Sequence, residues 1–414
     1  MRSLPALMPL LVLLPLLGCP TEEPPDNAGF SGDPDAIISE ERPGKRSEVL
    51  AVADEGTNTI LVFGGNEGPI VNQIPRADYT DETWVFEPGY GWTELDVSGP
   101  SKRGRYAAAH DPVNGKAYIF GGRYREPEIT GDYDLFRDLW EFDFATRAWN
   151  RLDNGSNGGP SGRYYPVSVF DPEAQTLYVY GGATNANALF IEPSQEFWKW
   201  TAADGWEELS TSGDAPSERV FYGTTYDSTR NRMILFAGQV GDFQSLAYND
   251  TYALDLATGS WEMLDNGGNG APYTRMHPAI QYDAPRDRVV LFGGHTDIGD
   301  DNDFWELDAA GGSWDELYRG DTVYGGLGCL GNPSEVPASF VDQDLSAPER
   351  RHRGMHAVMH DNLWIFGGMH SECSEHLDDT WRYDLLDDSW HELIEARVGE
   401  SCERRNDDCE CLCL

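Results

Sequence analysis

The stretch Val289-Val290-Leu291-Phe292-Gly293-Gly294 decides the fold, because versions of it recur along the chain. Ile60-Leu61-Val62-Phe63 runs into Gly64-Gly65, Met233-Ile234-Leu235-Phe236 into Ala237-Gly238, and Leu363-Trp364-Ile365-Phe366 into Gly367-Gly368. Gly121-Gly122 and Gly181-Gly182 complete six doublets, whose first members lie 57, 60, 56, 56 and 74 residues apart. Four continuous apolar residues predict a strand buried on both faces. The doublet ends that strand where the chain must turn with unusual dihedrals or approach another backbone closely. A repeat of this length makes each copy one supersecondary unit of an array.

Upstream of each doublet an arginine precedes an aspartate by eight residues: Arg46/Asp54, Arg103/Asp111, Arg163/Asp171, Arg219/Asp227, Arg275/Asp283 and Arg353/Asp361. The mostly apolar segment between them predicts a first strand, and the aspartate shapes the turn that follows. Downstream, a polar loop leads to an aromatic (Trp84, Trp140, Trp198, Tyr252, Trp305, Trp381). Eight or nine residues later comes a tryptophan (Trp92, Trp149, Trp206, Trp261, Trp314, Trp390), and three further on a leucine. Turn residues between the two aromatics make a hairpin, so each unit is a four-stranded meander. One such sheet cannot bury both faces alone, whereas six packed radially can.

An apolar run, a glycine doublet and a spaced aromatic pair resemble the kelch repeat, over residues 46–393. The resemblance implies an all-β fold, a six-bladed kelch-type β-propeller with four antiparallel strands per blade. The blades span about 46–95, 103–152, 163–209, 219–264, 275–317 and 353–393, with an insertion at 318–351. The structural repeat residues are Gly64, Gly65, Gly121, Gly122, Gly181, Gly182, Gly238, Gly293, Gly294, Gly367 and Gly368; Ala237 and Tyr252 depart from the pattern. Each blade reads complete in chain order, so no strand exchange between the chain ends is expected. A weaker alternative adds Ala36-Ile37-Ile38 as an edge strand.

Residues 1–18 carry Arg2 as their only charge, then an apolar run from Leu4 to Leu17 and a small residue, Gly18. That is the pattern of an export signal, too short for a spanning helix. Leu16-Leu17-Gly18-Cys19 resembles the lipobox of bacterial lipoproteins, which implies lipid on Cys19 and anchorage to the cell envelope, facing the periplasm or the outer surface. Residues 19–45 then read as a Pro-rich acidic tether. The formal net charge of -41 argues against nucleic acid and against docking on anionic headgroups. Six further cysteines, Cys329, Cys373, Cys402, Cys409, Cys411 and Cys413, are disulfide candidates in two loops and the tail at 394–414. Cys329 and Cys373 are expected to pair.

In such a meander the loops joining strands 2-3 and 4-1 share one face. That face holds the long variable segments 66–81, 123–137, 183–195, 239–249, 295–302, 369–378 and the insertion, and is the expected functional face. Its candidate binding residues are Arg123, Tyr124, Arg125, His295, His370 and Glu372. The six arginines are matched by Glu82, Asp138, Glu196, Asp250, Asp303 and Asp379, two residues before each third-strand aromatic. Structural pairing is expected, against an arginine ring that holds an anion. The 370–376 cluster is read as a polar disulfide-anchored loop rather than a metal site, and 297–303 as a solvated acidic turn rather than a calcium loop. No catalytic triad, phosphate loop or dinucleotide fingerprint appears, and no cofactor or metal is expected. The reading is a non-catalytic exported binding protein for a protein or glycan. The alternative implied by resemblance is a sugar-active enzyme like the sialic-acid mutarotases of kelch fold. Kelch-type copper oxidases, which have seven blades, and a structural cell-surface protein are weaker rivals.

Overall fold

The computed structural model describes residues 32–71, 74–127, 131–187, 191–240, 247–268, 270–297, 299–323, 341–342, 346–371 and 375–397. The expectations for the leader, for Cys19, for Glu372 and for the six other cysteines lie outside these residues.

Six four-stranded antiparallel meanders surround one axis, each made from one continuous segment. Their innermost strands are Ala51–Asp54, Ala107–Asp111, Val167–Asp171, Gly223–Asp227, Ala279–Asp283 and Met355–Met359. The second strands are Thr59–Phe63, Lys116–Phe120, Thr176–Tyr180, Arg232–Phe236, Arg288–Thr296 and Asn362–His370. These are buried almost throughout, as their unbroken apolar runs require.

The aromatic residue before each doublet packs against the fourth-strand tryptophan of the next blade. The pairs are Phe63–Trp149, Phe120–Trp206, Tyr180–Trp261, Phe236–Trp314, Phe292–Trp390 and Phe366–Trp92, with ring centroids 5.2, 5.0, 5.1, 4.8, 5.2 and 4.8 Å apart. The last pair joins blade 6 to blade 1 and closes the ring. Trp92 Nε1 also donates to Thr380 Oγ1 at 3.1 Å, and Gly368 N–H to the Arg46 carbonyl at 3.0 Å. Closure is thus side-by-side packing of whole blades. Residues 36–38 form no strand; Ile38 and Ser39 N–H donate to the Tyr90 carbonyl at 2.7 and 2.8 Å as the chain passes blade 1.

The repeat charges are structural. Arg46, Arg103, Arg163, Arg219 and Arg275 pair with Glu82, Asp138, Glu196, Asp250 and Asp303. Each guanidinium also donates to the carbonyl of the first doublet residue, at 2.9 to 3.2 Å. Each carboxylate accepts from the aromatic two residues on, as in Trp305 Nε1 to Asp303 Oδ2 at 2.7 Å. One ion pair therefore ties the first strand to the glycine turn and to the third strand.

In blade 6 the arginine of this lattice is Arg351, paired with Asp379 at 2.6 Å, and not Arg353. The cause is a shorter first turn. Met359 pairs with Asn362 across His360 and Asp361, both with positive φ (49° and 60°). Such a two-residue turn suits the twist of a hairpin. It brings the doublet 16 residues after the arginine instead of 18. Blades 5 and 6 also extend their second and third strands past the doublet as hairpins, ending at Thr296/Gly299 and His370/Glu375. The segment 297–303 is therefore not a solvated acidic turn: Asp300, Asn302 and Asp303 are buried, because the hairpin folds them against blade 6 and the lattice.

Candidate functional site

Two residues after each lattice arginine the chain takes a left-handed kink: Glu48, Arg105, Tyr165, Phe221, His277 and Arg353 have φ of 65°, 60°, 54°, 64°, 52° and 55°. None is glycine, so each kink carries strain that the surrounding lattice must hold. The kink lets the N–H reach across to the neighbouring blade, as Arg105 to Glu48 O (2.8 Å), Tyr165 to Arg105 O (2.7 Å) and His277 to Phe221 O (2.7 Å). All six side chains line one cavity at the axis, about 160 Å³ in volume. That is the volume of a small organic group. A second cavity shares Ala51, Ala108, Ser168, Thr224 and Gln281 with it and continues toward the 1-2 turns.

The ring has two unlike halves. Across blades 3 to 5, Tyr165, Phe221 and His277 pack on one another with centroids 4.5 to 4.9 Å apart. Across blades 6, 1 and 2, three guanidiniums surround the Glu48 carboxylate. Arg105 bonds it directly, Arg353 Nη1 lies 3.3 Å from Oε1, and Arg123 Nη2 lies 3.9 Å from Oε2. Tyr79 Oη donates to Oε2 at 3.1 Å and accepts from Arg123 Nε at 3.0 Å. Tyr133 covers the Arg123 guanidinium at 3.8 Å and Tyr164 at 5.1 Å. Burial acts to raise the Glu48 carboxyl, but Arg105, Arg123 and Arg353 outweigh it and hold the group far below the usual carboxylate range. Three cations against one anion leave the cage cationic. Arg105 Nε, Arg353 Nε, Tyr165 Oη and His277 Nε2 have no hydrogen-bond partner among the described residues.

Beside the cage, His295 Nδ1 and His352 Nδ1 lie 2.6 and 2.9 Å from Asp300 Oδ1, and Ser371 N–H donates to Asp300 Oδ2 at 2.6 Å. Burial raises the Asp300 carboxyl, but His352 and His295 override it and keep the group well below its ordinary value. Burial, then Arg353, His352 and Arg105, push the His277 imidazole well below its own.

Of the residues singled out from sequence, the fold brings Arg123 into the cage and His295 into the Asp300 cluster. Tyr124 and Arg125 stay on the rim, where Arg125 Nη1 donates to Gly131 O at 2.7 Å. His370 is buried at the end of the second strand of blade 6. Sequence reasoning missed Glu48, Arg105, Tyr165, Phe221, His277 and Arg353 as a set, along with Tyr79, Asp300 and His352. The signal was the fixed offset of two from each lattice arginine.

A family model described as KLHDC2/KLHL20/DRC7 Kelch-repeats domain matches residues 35–189 and 173–325, and one described as Kelch motif matches residues 350–393. Acyl-CoA-binding domain-containing protein 6 of Oryza sativa subsp. japonica is 25% identical over 275 residues, covering 64% of this chain and 39% of that protein. Kelch domain-containing protein 10 of Bos taurus is 24% identical over 307 residues, covering 71% of this chain and 61% of that protein. The chain thus spans less than two-thirds of the length of these relatives. Among solved structures, the one titled "Structure of YjhT" superposes with a TM-score of 0.60 at 14% identity, over 85% of this chain and 99% of that one.

Proposed function

The chain belongs to the kelch-repeat family, and we propose that it is a non-catalytic binding protein that captures an anionic group of a glycan or protein at its axis. The observation that carries this is the cage: three guanidiniums around one carboxylate, of which Arg105 and Arg353 line the cavity with Nε–H donors unpartnered among the described residues, in a chain of net charge -41. Distant acidic groups are screened beyond about 8–10 Å at physiological salt, so the local field decides what enters. A carboxylate fits the donors, because guanidinium N–H groups recognise it by charge-assisted hydrogen bonds. The aromatic half of the ring suits the apolar face of a sugar or side chain.

The test is binding of the purified chain to paired probes: acidic and neutral glycans, and peptides with free and amidated C-termini. Acidic members should bind, Arg353→Gln should weaken capture tenfold or more, and Glu48→Gln should not weaken it. Equal capture of neutral and acidic probes would sink the reading.

A sialic-acid mutarotase-like activity is the second reading, favoured by the unpartnered His277 Nε2 and the His352–Asp300 pair near the cage. Proton exchange at an anomeric centre needs such groups within reach of the ring. NMR of anomer interconversion, with and without the protein, checks it. The proposal also includes export and lipid anchorage at Cys19, supported by the 1–19 pattern. Labelling with an alkyne fatty acid, lost in Cys19→Ala, tests it.

A further inference from the structure

Apart from the cage, blades 5 and 6 bring together three side chains of the kinds that ligate metals. One ligand atom from each of His295, Asp300 and His352 lies within 4.8 Å of the others. We propose that this trio binds one divalent transition-metal ion, of the zinc and cobalt class, at the boundary between blades 5 and 6.

The scaffold holds the three independently. His295 follows the doublet of blade 5 and pairs in register with Asp300 across the extended hairpin. His352 follows Arg351, whose guanidinium is locked by Asp379, and its N–H donates to the Met369 carbonyl at 3.0 Å. Ser371 N–H fixes the second Asp300 oxygen. Ligands mounted on a rigid lattice bind without paying for ordering.

The donor set sets the class of ion. Two imidazole nitrogens and one carboxylate oxygen suit zinc, cobalt, nickel or iron, and not calcium, which takes oxygen ligands. Three protein ligands among the described residues match the count of catalytic rather than structural zinc sites. Zinc sits about 2.0–2.1 Å from nitrogen and about 2.0–2.2 Å from oxygen. Tetrahedral donors are then about 3.3 Å apart. The present separations of 2.6 and 2.9 Å need the two rings to withdraw by less than about 1 Å, within side-chain motion. His277, with its ring 5.8 Å from that of His352, stands behind as a further imidazole. The competing arrangement is a metal-free cluster in which both imidazoles donate to Asp300.

The test uses the full chain with its thiols alkylated, stripped with chelator and titrated with Co2+. Wild type should take up one equivalent, with visible absorption of a nitrogen–oxygen field and no sulfur charge transfer, and Zn2+ should displace it. His295→Gln and Asp300→Asn should each lose that equivalent while circular dichroism shows the fold intact. His295 is only half-buried, so its variant carries the test if Asp300→Asn fails to fold. No uptake by folded wild type, or unchanged stoichiometry in His295→Gln, overturns the proposal.

Discussion

Replacing Arg275 by methionine should cost far more than the same change at Arg163, although both sit at equivalent positions. Both arginines are fully buried, but Asp303 is 4% exposed and Glu196 is 40% exposed. Arg275→Met strands a buried carboxylate, a loss of about 3–5 kcal/mol. It also leaves the Gly293 and Tyr273 carbonyls without their donor. Glu196 regains water when Arg163 is lost, so what disappears is the hydrogen bonding to the Ser161 and Gly181 carbonyls and the Ser161 hydroxyl, a cost of about 1–2 kcal/mol. Asp303→Asn supplies the control. Asparagine keeps an acceptor for Trp305 Nε1 but has no charge to strand. In that background the penalty of Arg275→Met should fall to about 1–2 kcal/mol, a coupling typical of residues in one network. Urea denaturation followed by tryptophan fluorescence measures wild type, the three single variants and the double variant, with coincidence of a second probe checking that unfolding is cooperative. Equal penalties at Arg163 and Arg275, or no coupling to Asp303, would refute the view that these arginines are structural and that burial of the partner sets their worth.

The two doublet positions of blade 4 should differ in which small residue they accept. First members have φ between 49° and 74°, where Ala237 already sits at 65°, whereas second members have φ between 84° and 115°. Gly238→Ala also brings a Cβ 2.7 Å from the Val220 carbonyl oxygen, so it should destabilise by more than about 1 kcal/mol, while Ala237→Gly stays within about 1 kcal/mol by thermal denaturation. Acid should weaken the closure between blades 6 and 1. Burial, opposed by the hydrogen bond to Gly68 O and by Glu48 and reinforced by Arg353 and His352, lowers the His376 imidazole to about 4. Its folded pKa is depressed, so its contribution is complete above the unfolded value near 6.5 and is lost as pH falls through about 4, on the order of 3 kcal/mol in all. His376→Gln should flatten the stability profile between pH 6.5 and 4 by that amount; an unchanged slope would refute the assignment.

The fold was legible because its determinants recur at fixed offsets. Apolar runs, doublets and aromatic pairs each repeat six times, and radial packing is the arrangement that buries them all. Even the carboxylate partners were readable, since Glu82 and its equivalents stand at one distance from one aromatic. What misled was the assumption of constant spacing. In blade 6 Arg353 and Asp361 keep the eight-residue interval by coincidence, while the two-residue turn His360-Asp361 moves the lattice role to Arg351. A shortened turn leaves no trace in composition, and only the ion pair with Asp379 reveals it.

The site was illegible for a related reason. A repeat is recognised by what stays the same, and a binding site in a repeat protein is built from what differs. At the offset of two from the lattice arginine, the backbone is identical in all six blades, a left-handed kink held by neighbours, while the side chains are Glu48, Arg105, Tyr165, Phe221, His277 and Arg353. With the six lattice arginines each spent on a carboxylate, the guanidiniums of Arg105, Arg123 and Arg353 are left to gather around Glu48. The same register error that made Arg353 a lattice residue therefore also concealed the cage. It hid His352 as well, since a residue one place before a supposed lattice arginine lies outside the blade, whereas one place after Arg351 it stands beside Asp300. The one shortened turn thus takes Arg353 out of the scaffold and brings His352 in from outside the blade, placing the first in the anion cage and the second beside Asp300.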